Sequence, residues 1–548
     1  MNDTADAFPT LSGPQIARIA AHGKRRPVRA GEVLFDQGEA GRAFFVVVSG
    51  AIELVRVQPG TPENVILVLE PGQFTGDVSL LSGRSAVVRG RAREAGEVLE
   101  LDRKSLRELV QVDSNLSDVL MRAFILRRLR LISDNLGNVV LLGSSHSADT
   151  LRLKEFLTRN GHPYAYVDLE RETVTQKLLD QFHVSVADVP VLICPGHPPM
   201  RNPPNARVAD CLGFNLPLDQ EHLRDVVVVG AGPAGLSAAV YGASEGLDVL
   251  VLETEAPGGQ AGSSSKIENY LGFPTGISGR DLAGRAYTQA QKFGAEVIIA
   301  RSAARLACSR KPYVIEIDGG DRVPARAIVI ASGVQYRRLP IDRADRFDGV
   351  GVYYGATALE AQLCSGDDVI VVGGGNSAGQ AAVFLSSSAK HVHLLCRSGS
   401  LDDRMSRYLV RRIEESRDIT VHTHTEIEAL EGDHRLQRVV WRHRQTGEAK
   451  GHDIGHVFLM MGATPNTGWL AGCLVVDGKG FIKTGSDLLP DELSAARWPL
   501  PRSPYLLETS LPGIFAVGDV RSGNVKRVAS GVGEGSISIH LVHKVLAE

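Results

Sequence analysis

A turn that suits glycine alone occurs twice in this chain and constrains its fold more than any other feature. The first copy is "DVVVVGAGPAGLSAAVYGASEGLDVLVLE": a run of valines, then Gly230, Gly232 and Gly235 with Pro233 and Ala234 between them, then an alanine-rich helix. Such glycines allow a tight strand-to-helix turn, close approach of the backbone to a pyrophosphate, and close packing of helix on strand. Glu253 follows Gly235 by 18 residues and ends the next strand, where an acid accepts hydrogen bonds from ribose hydroxyls. Strand, turn, helix and acid in register predict a dinucleotide-binding βαβ unit, and with it a parallel sheet covered by helices.

The second copy, "DDVIVVGGGNSAGQAAVFLSSSAKHVHLLCRSG", carries Gly373, Gly375 and Ala378 with Asn376 and Ser377 in the turn. Cys396 stands where the acid would be, and Arg397 follows it. A lost carboxylate, a gained arginine and alanine for the third glycine predict a site for a 2′-phosphate, hence NADPH over NADH. Arg404 and Arg407 are placed to assist or to cover an ordinary helix surface.

A chain of 548 residues exceeds one hydrophobic core, so several domains are expected. No apolar run of about 18 residues lacks glycine or charge, so no membrane partner is expected. The net charge of −3 gives no general attraction to polyanions, and no DNA partner is expected. The start "MNDTADAFPTLSG" has acidic residues and no apolar core of a leader, which predicts a cytoplasmic protein. Six cysteines, at 194, 211, 308, 364, 396 and 473, are too scattered for Cys-x-x-Cys or for a zinc pattern, so no metal is expected. Pairing between distant cysteines stays open, although a reducing cytosol disfavours a static disulfide.

Residues 1–132 alternate apolar and polar positions in short runs divided by glycine, then turn helical. With Gly31, Gly38, Glu39, Phe45, Val47, Gly50 and Leu54 in place, this segment resembles the cyclic nucleotide-binding domain family. The resemblance implies a phosphate cassette at "FTGDVSLLSGRSAVV": the amides near Gly76 to Ser79, Asp77 in place of the usual glutamate, Arg84 as phosphate partner, and Ser85 beside it. Arg84 follows Asp77 by seven residues, fewer than the family pattern. The domain is expected either to bind a cyclic nucleotide or other small anion, or to serve as a degenerate packing and sensing module.

Residues 136–215 read strand, helix, strand, and then a further strand after Pro190. This order resembles the thioredoxin and glutaredoxin fold, with Pro190 at the position of its cis-proline. Where that family has Cys-x-x-Cys, this chain has Ser147, Ala148, Asp149 and Thr150, which supply no thiolate. Cys194 and Cys211 are expected as buried structural thiols, and His146 as a solvated loop residue. The proline-rich stretch "HPPMRNPPNARVADCLGF" is expected to be a linker.

"PGGQAGSSSKIENYLGFP", "AIVIASGVQYRRLP", "FLMMGATPNT" and "ETSLPGIFAVGDVRSGNVKRVASGVGEGSISI" complete the pattern. Together with the two glycine turns they resemble the low-molecular-weight thioredoxin reductases over roughly the last 320 residues. The resemblance implies an FAD-binding domain at 224–340 and 467–548, with an NADPH-binding domain inserted at 341–466. The expected fold class is therefore a multidomain α/β protein: a β-roll with helices, a thioredoxin-like domain, and two Rossmann-like domains, one inserted in the other. By position, Gly259, Gln260, Ser265 and Asn269 are expected on the flavin side, with Ala331 and Gly333 along the cofactor. Gly518 and Asp519 are expected at the ribitol and phosphate, Asp519 also capping a helix, and Lys526, Arg527 and Val528 at the isoalloxazine end. The family is a homodimer, and that too is implied.

One departure decides the chemistry. The family disulfide belongs where this chain has Gly355, Ala356, Thr357 and Ala358, followed by Leu359 instead of an acid. Nicotinamide and flavin still carry hydride chemistry of their own. Three readings stay open on the sequence: an NADPH-dependent FAD oxidoreductase that serves an unidentified electron acceptor under control of the N-terminal domain; a non-catalytic FAD-containing sensor; and a thioredoxin-disulfide reductase using atypical cysteines.

Overall fold

The computed structural model describes residues 6–548 apart from 41, 58–62, 134–138, 145–146, 170–188, 195–196, 265, 343, 357, 403, 434 and 471. His146, Ser265 and Thr357 therefore lie outside the described residues.

The chain opens as a β-roll of two antiparallel sheets. One orders Lys24–Val28, Gly96–Leu101 and Phe44–Ser49; the other orders Val33–Phe35, Arg89–Ala92, Ile52–Arg56 and Asn64–Leu69. Alternate residues of Phe44–Ser49 enter two cores, Phe44 and Val46 joining Phe74, Leu99 and Phe124, and Phe45 and Val47 joining Phe35 and Ile52. Helix Arg103–Val112, capped by Asp102, and helix α1, Ser114–Ser133, close the first of these cores.

A four-stranded sheet follows. Val139–Gly143 runs parallel to Tyr164–Asp168 and antiparallel to Val191–Ile193, which pairs antiparallel with Met200–Arg201. Helix α2, Ala148–Arg159, makes the crossover between the two parallel strands. This is the strand order of the thioredoxin fold, and the Val189–Pro190 peptide is cis. The expected proline-rich linker is instead folded. Met200–Arg201 is a strand and Asn205–Cys211 a helix, because Val208, Ala209, Leu212 and Phe214 bury against Phe156 and Leu157. The cysteines are also corrected: Cys194 is bonded to Cys211, and Cys308 to Cys473, with Cα atoms 6.6 Å and 6.1 Å apart.

The third body is built on Arg224–Val229, parallel to Val249–Glu253 on one side and to Arg322–Ile330 on the other. Helix α3, Pro233–Ser244, and helix α4, Gly279–Phe293, cover one face. The chain then crosses once, along Val334–Tyr336, into an inserted domain with its own parallel sheet, ordered Val352–Tyr353, Val457–Leu459, Asp368–Val372, His391–Leu395 and Ile419–His422. Helix α5, Ala358–Leu363, and helix α6, Asn376–Leu385, belong to that domain. Ala463–Pro465 returns antiparallel to the outgoing strand. Ile514–Ala516 rejoins the first sheet beside Arg322–Ile330, and helix α7, Val528–Ala547, packs on α3. A Cβ on Gly535 would run into the Ala234 carbonyl, so glycine sets how closely α7 approaches. Among the described residues, no helix is long and apolar enough to cross a membrane.

The inserted domain holds a histidine cluster between its two sheets. His393 Nδ1 lies 3.1 Å from His422 Nε2, and both rings pack on Trp441, which stacks on His452 at 3.5 Å. Burial, then the neighbouring His422 and His391, pushes His393 down to about 4. The unfolded chain therefore takes up this proton first as pH falls. The stabilisation is present above about pH 6.5 and is lost as pH drops towards 4. His393→Leu should flatten the fall in thermal midpoint between pH 7.5 and 4.5 followed by circular dichroism; an unchanged slope would remove His393 as its cause.

Candidate functional site

The first glycine turn shows why its residues are needed. Gly230 sits at φ 104° and its amide donates to Leu252 O, tying the turn to the neighbouring strand. A Cβ on Gly235 would collide with the Gly230 carbonyl, so this glycine is a packing requirement. Gly232 differs. It caps α3 in extended conformation, and a Cβ there would meet only Gly259 Cα, at 3.9 Å. Pro233 occupies the first helical position, which leaves the remaining amides of the first turn directed outwards at the positive end of α3. That is a cradle suited to a pyrophosphate.

Glu253 is buried and accepts from the amides of Ala231 at 2.7 Å, Glu255 at 2.9 Å and Ala256 at 3.2 Å. Burial raises its carboxyl, and the Glu255 and Ala231 amides oppose that rise. The carboxylate thus holds both the glycine turn and the loop 254–260 that faces it. Gly258 N donates to Ala231 O at 2.7 Å, and Gly259, at φ 53°, lies against Gly232.

The other expected flavin residues divide. Ala331 is buried under the turn, and Gly333 follows it at φ 65°. Gln260 donates its amide to Val334 O on the outgoing crossover strand, while Asn269 is exposed. Gly518 N is bound by Glu534 at 2.7 Å, and the same carboxylate holds Arg521. Asp519 does not cap a helix: it lies in the short turn Gly518–Val520, and α7 starts nine residues later with Arg527 as its cap. Burial raises the Asp519 carboxyl, with Lys526 opposing. Lys526 and Arg527 are exposed and Val528 half-buried at the start of α7.

The second turn repeats the design. Gly375 caps α6, Ala378 is buried, and a Cβ on Gly373 would crowd Met460 O. Asn376 Oδ1 accepts from Ser406 N at 2.7 Å, which holds Ser406 at the start of α6. Ser377 is exposed. Arg397 follows strand His391–Leu395, and Arg397, Arg404 and Arg407 are all exposed, without an ion pair among the described residues. Cys396 is buried, its sulfur 2.8 Å from Ser398 Oγ.

At the position of the absent dithiol, Gly355 borders open space and Ala356 packs on the core of the inserted domain. Ala358 starts α5. Cys364, at the end of that helix, is fully buried, and burial pushes its thiol up to about 11. It is a packing group, not a displaced nucleophile. The thioredoxin-like domain lies nearby: a side chain on Gly349 would come within 3.7 Å of Ala148 Cβ, in the segment that stands for Cys-x-x-Cys.

The β-roll cassette is not an open anion pocket. Asp77 is buried between Arg42 and Arg128, each 3.7 Å away, and accepts from Ser79 N at 2.8 Å, so that amide is taken. Gly76 O accepts from Arg127 at 2.9 Å. Arg84 points out of the domain: Nη2 donates to Tyr287 Oη at 2.8 Å, and the guanidinium lies 4.3 Å from the centre of the Phe214 ring. Ser85 packs where Gly213 leaves room for it.

Residues 224–535 match the family Pyridine nucleotide-disulphide oxidoreductase, more than half of the chain. The chain belongs to that family. Residues 25–113 match the Cyclic nucleotide-binding domain. A thioredoxin reductase of Mycolicibacterium smegmatis is 32% identical over 327 residues, covering 60% of this chain and 97% of that protein. A 34.2 kDa protein in a rubredoxin operon of Clostridium pasteurianum is 28% identical over 330 residues, covering 60% and 99%. Solved thioredoxin reductases of T. acidophilum and Lactococcus lactis superpose with TM-scores of 0.53 and 0.52 at 28% and 27% identity. They cover 60% and 59% of this chain, and 100% and 99% of their own. As an oxidoreductase of this family the chain uses FAD and NADPH, and the two cradles fit them.

Glu534, Tyr287, Arg159 and Asn160 were not visible as site residues in the sequence. Glu534 alone left a trace, as an acid within the glycine-rich start of an otherwise apolar helix. The glycines give a paired test. Gly232→Val should abolish the yellow colour of the purified protein while leaving its fold, measured by circular dichroism, intact. Gly235→Val should unfold or insolubilise the chain. Loss of fold in both would make Gly232 a packing residue.

Proposed function

We propose that this chain is an NADPH-dependent FAD oxidoreductase that passes electrons from the flavin to an acceptor other than a thioredoxin-type disulfide. One observation supports the reading: Gly232 and Gly375 each cap a helix at a glycine turn, whereas Gly355 and Ala358 replace the paired sulfurs and Cys364 is buried with a raised thiol. Gly232, Gly259, Glu253 and the turn at Gly518 and Asp519 would hold FAD; Gly375, Asn376 and Arg397 would hold NADPH. Bound together, the two cofactors supply hydride transfer between nicotinamide and isoalloxazine. The protein's part is to orient them and to exclude competing reactions.

The docked thioredoxin-like domain adds a constraint on the acceptor. Ala148 lies against Gly349, and Glu155 on α2 is within electrostatic reach of Glu360 on α5. A domain of this chain thus occupies ground beside the lost relay, which favours a small molecule over a folded protein as acceptor. A homodimer and a cytoplasmic location belong to the same proposal.

Anaerobic stopped-flow mixing with NADPH should bleach the flavin absorbance, and reoxidation by quinones and oxygen should proceed while thioredoxin leaves the flavin reduced. Efficient thioredoxin reduction that survives Cys→Ser replacement of all six cysteines would overturn the relay argument. Loss of that activity in Cys308→Ser or Cys194→Ser would transfer the function to the paired cysteines.

The nucleotide preference has its own test. Arg397→Ala should raise the NADPH Kd about tenfold or more and leave NADH nearly unchanged, because only NADPH offers a charge-assisted contact there. Equal losses for both would make Arg397 part of the fold.

A further inference from the structure

The thioredoxin-like domain reaches the loop that faces the first glycine turn, and the β-roll holds the helix corner that does so. Helix α2 of the thioredoxin-like domain ends at Arg159, with Asn160 as its cap. Arg159 Nη2 donates to Gly259 O at 3.0 Å, Nη1 reaches Glu255 Oε2 at 3.2 Å, and Asn160 Nδ2 donates to Glu255 O at 3.1 Å. Both ends of the loop 255–259 are therefore tied by backbone carbonyls to one helix corner. The bonds to carbonyls matter more than the ion pair, because the Glu255 side chain is 63% exposed and water screens it. This loop supplies Gly259, which lies against Gly232, and it begins just after Glu253.

The same corner is gripped from its other side by the β-roll. Arg84 donates to Asn160 O at 3.4 Å and to Tyr287 Oη on α4 at 2.8 Å, with its charge over the rings of Phe214 and Tyr287. Arg128 donates to Gly161 O at 2.7 Å and 3.0 Å. Arg42 donates to Arg84 O at 3.2 Å and shares Asp77 with Arg128. From the β-roll cassette to the glycine turn, the contacts run from Arg84 to Asn160, from Asn160 to Glu255, from Glu255 to Arg159 and from Arg159 to Gly259.

We propose that Arg159 and Asn160 are positioning residues for the FAD site, supplied by the thioredoxin-like domain and locked by Arg84, so that the N-terminal half of the chain sets how tightly FAD is held. The inference rests on the FAD-binding reading above. The domain that has Ser147 and Thr150 in place of Cys-x-x-Cys then acts as a wedge that shapes the cofactor loop. The phosphate cassette acts with it, since its arginine is the lock.

The test uses full-length protein stripped of flavin, with FAD affinity read from quenching of FAD fluorescence and NADPH affinity as an internal control. Arg159→Ala should raise the FAD Kd about tenfold and sharpen or shift the bound-flavin absorption band, with NADPH affinity unchanged. Arg159→Lys, which keeps a cationic donor, should restore most of the loss. Tyr287→Phe removes only the hydroxyl that receives Arg84 and leaves the packing in place, so it should fold and raise the FAD Kd about threefold. Combined with Arg159→Ala it should add little, because both act through one corner. An unchanged FAD Kd in Arg159→Ala, equal losses of FAD and NADPH, no rescue by lysine, or full additivity of the two changes would each overturn the proposal. Failure of the unaltered protein to take up FAD would instead overturn the functional reading on which it rests.

Discussion

Ile514, Phe515 and Ala516 pair in parallel with Ile328, Val329 and Ile330, and the layout of the flavin half follows from that return. The chain leaves the sheet after residue 330, builds a complete second domain, and comes back into register beside the strand it left. Closing so long a loop is tolerable because the entropic cost grows only with the logarithm of its length. Two further ties lie close to the crossing. Ser332 and Asn466 exchange hydrogen bonds at 2.9 Å and 2.8 Å, and Cys308 is bonded to Cys473. The inserted domain is thus attached through one short pair of strands, while the sheet behind it is stapled. Once the return strand is seated, Gly518 follows at φ 71° and α7 is delivered onto α3, which completes the wall of the first cradle.

The glycine turns were legible in the sequence because their requirement is local. Gly230 needs a left-handed backbone and Gly235 needs room within a few residues, so spacing reports them. The same holds for the alternating β-roll strands and for Pro190. The failures share the opposite property. Cys194 and Cys211 read as separate thiols, and Cys308 lies 165 residues from its partner, so no spacing rule reaches either pair. The stretch 197–214 carries the residues of a linker, yet burial of Val208, Leu212 and Phe214 overrides local composition. Asp519 reads as a helix cap because aspartate is a favoured cap residue, but the long helix begins only at Val528. Arg159 and Asn160 look like any helix end until the loop they hold is in place.

Arg84 shows how a recognition cassette changes meaning without changing residues. A buried guanidinium with no carboxylate beside it is costly in a low-dielectric interior. Here the cost is offset by the face of Phe214, by Tyr287 and by the Asn160 carbonyl, and a desolvated cation over an aromatic face contributes about 2 kcal/mol. Burial raises the Asp77 carboxyl, Arg128 and Arg42 outweigh it and hold it below its ordinary value, and Asp77 pairs with those two arginines and not with Arg84. The positive charge at Arg84 is thus retained and used between domains.

The balance bears on any anion that enters the β-roll. Such a ligand would meet Arg84 already engaged with two aromatic rings and two oxygens, so its phosphate must compete with contacts that also hold Asn160. Reciprocity of linkage then applies: whatever draws Arg84 inwards loosens the corner at Asn160, and whatever tightens the FAD loop makes Arg84 harder to draw. On the proposal that Arg84 locks Asn160, the coupling has one sign: a molecule bound at the cassette through Arg84 would weaken the flavin half's grip on its cofactor, and one bound elsewhere in the β-roll, leaving Arg84 in place, would not.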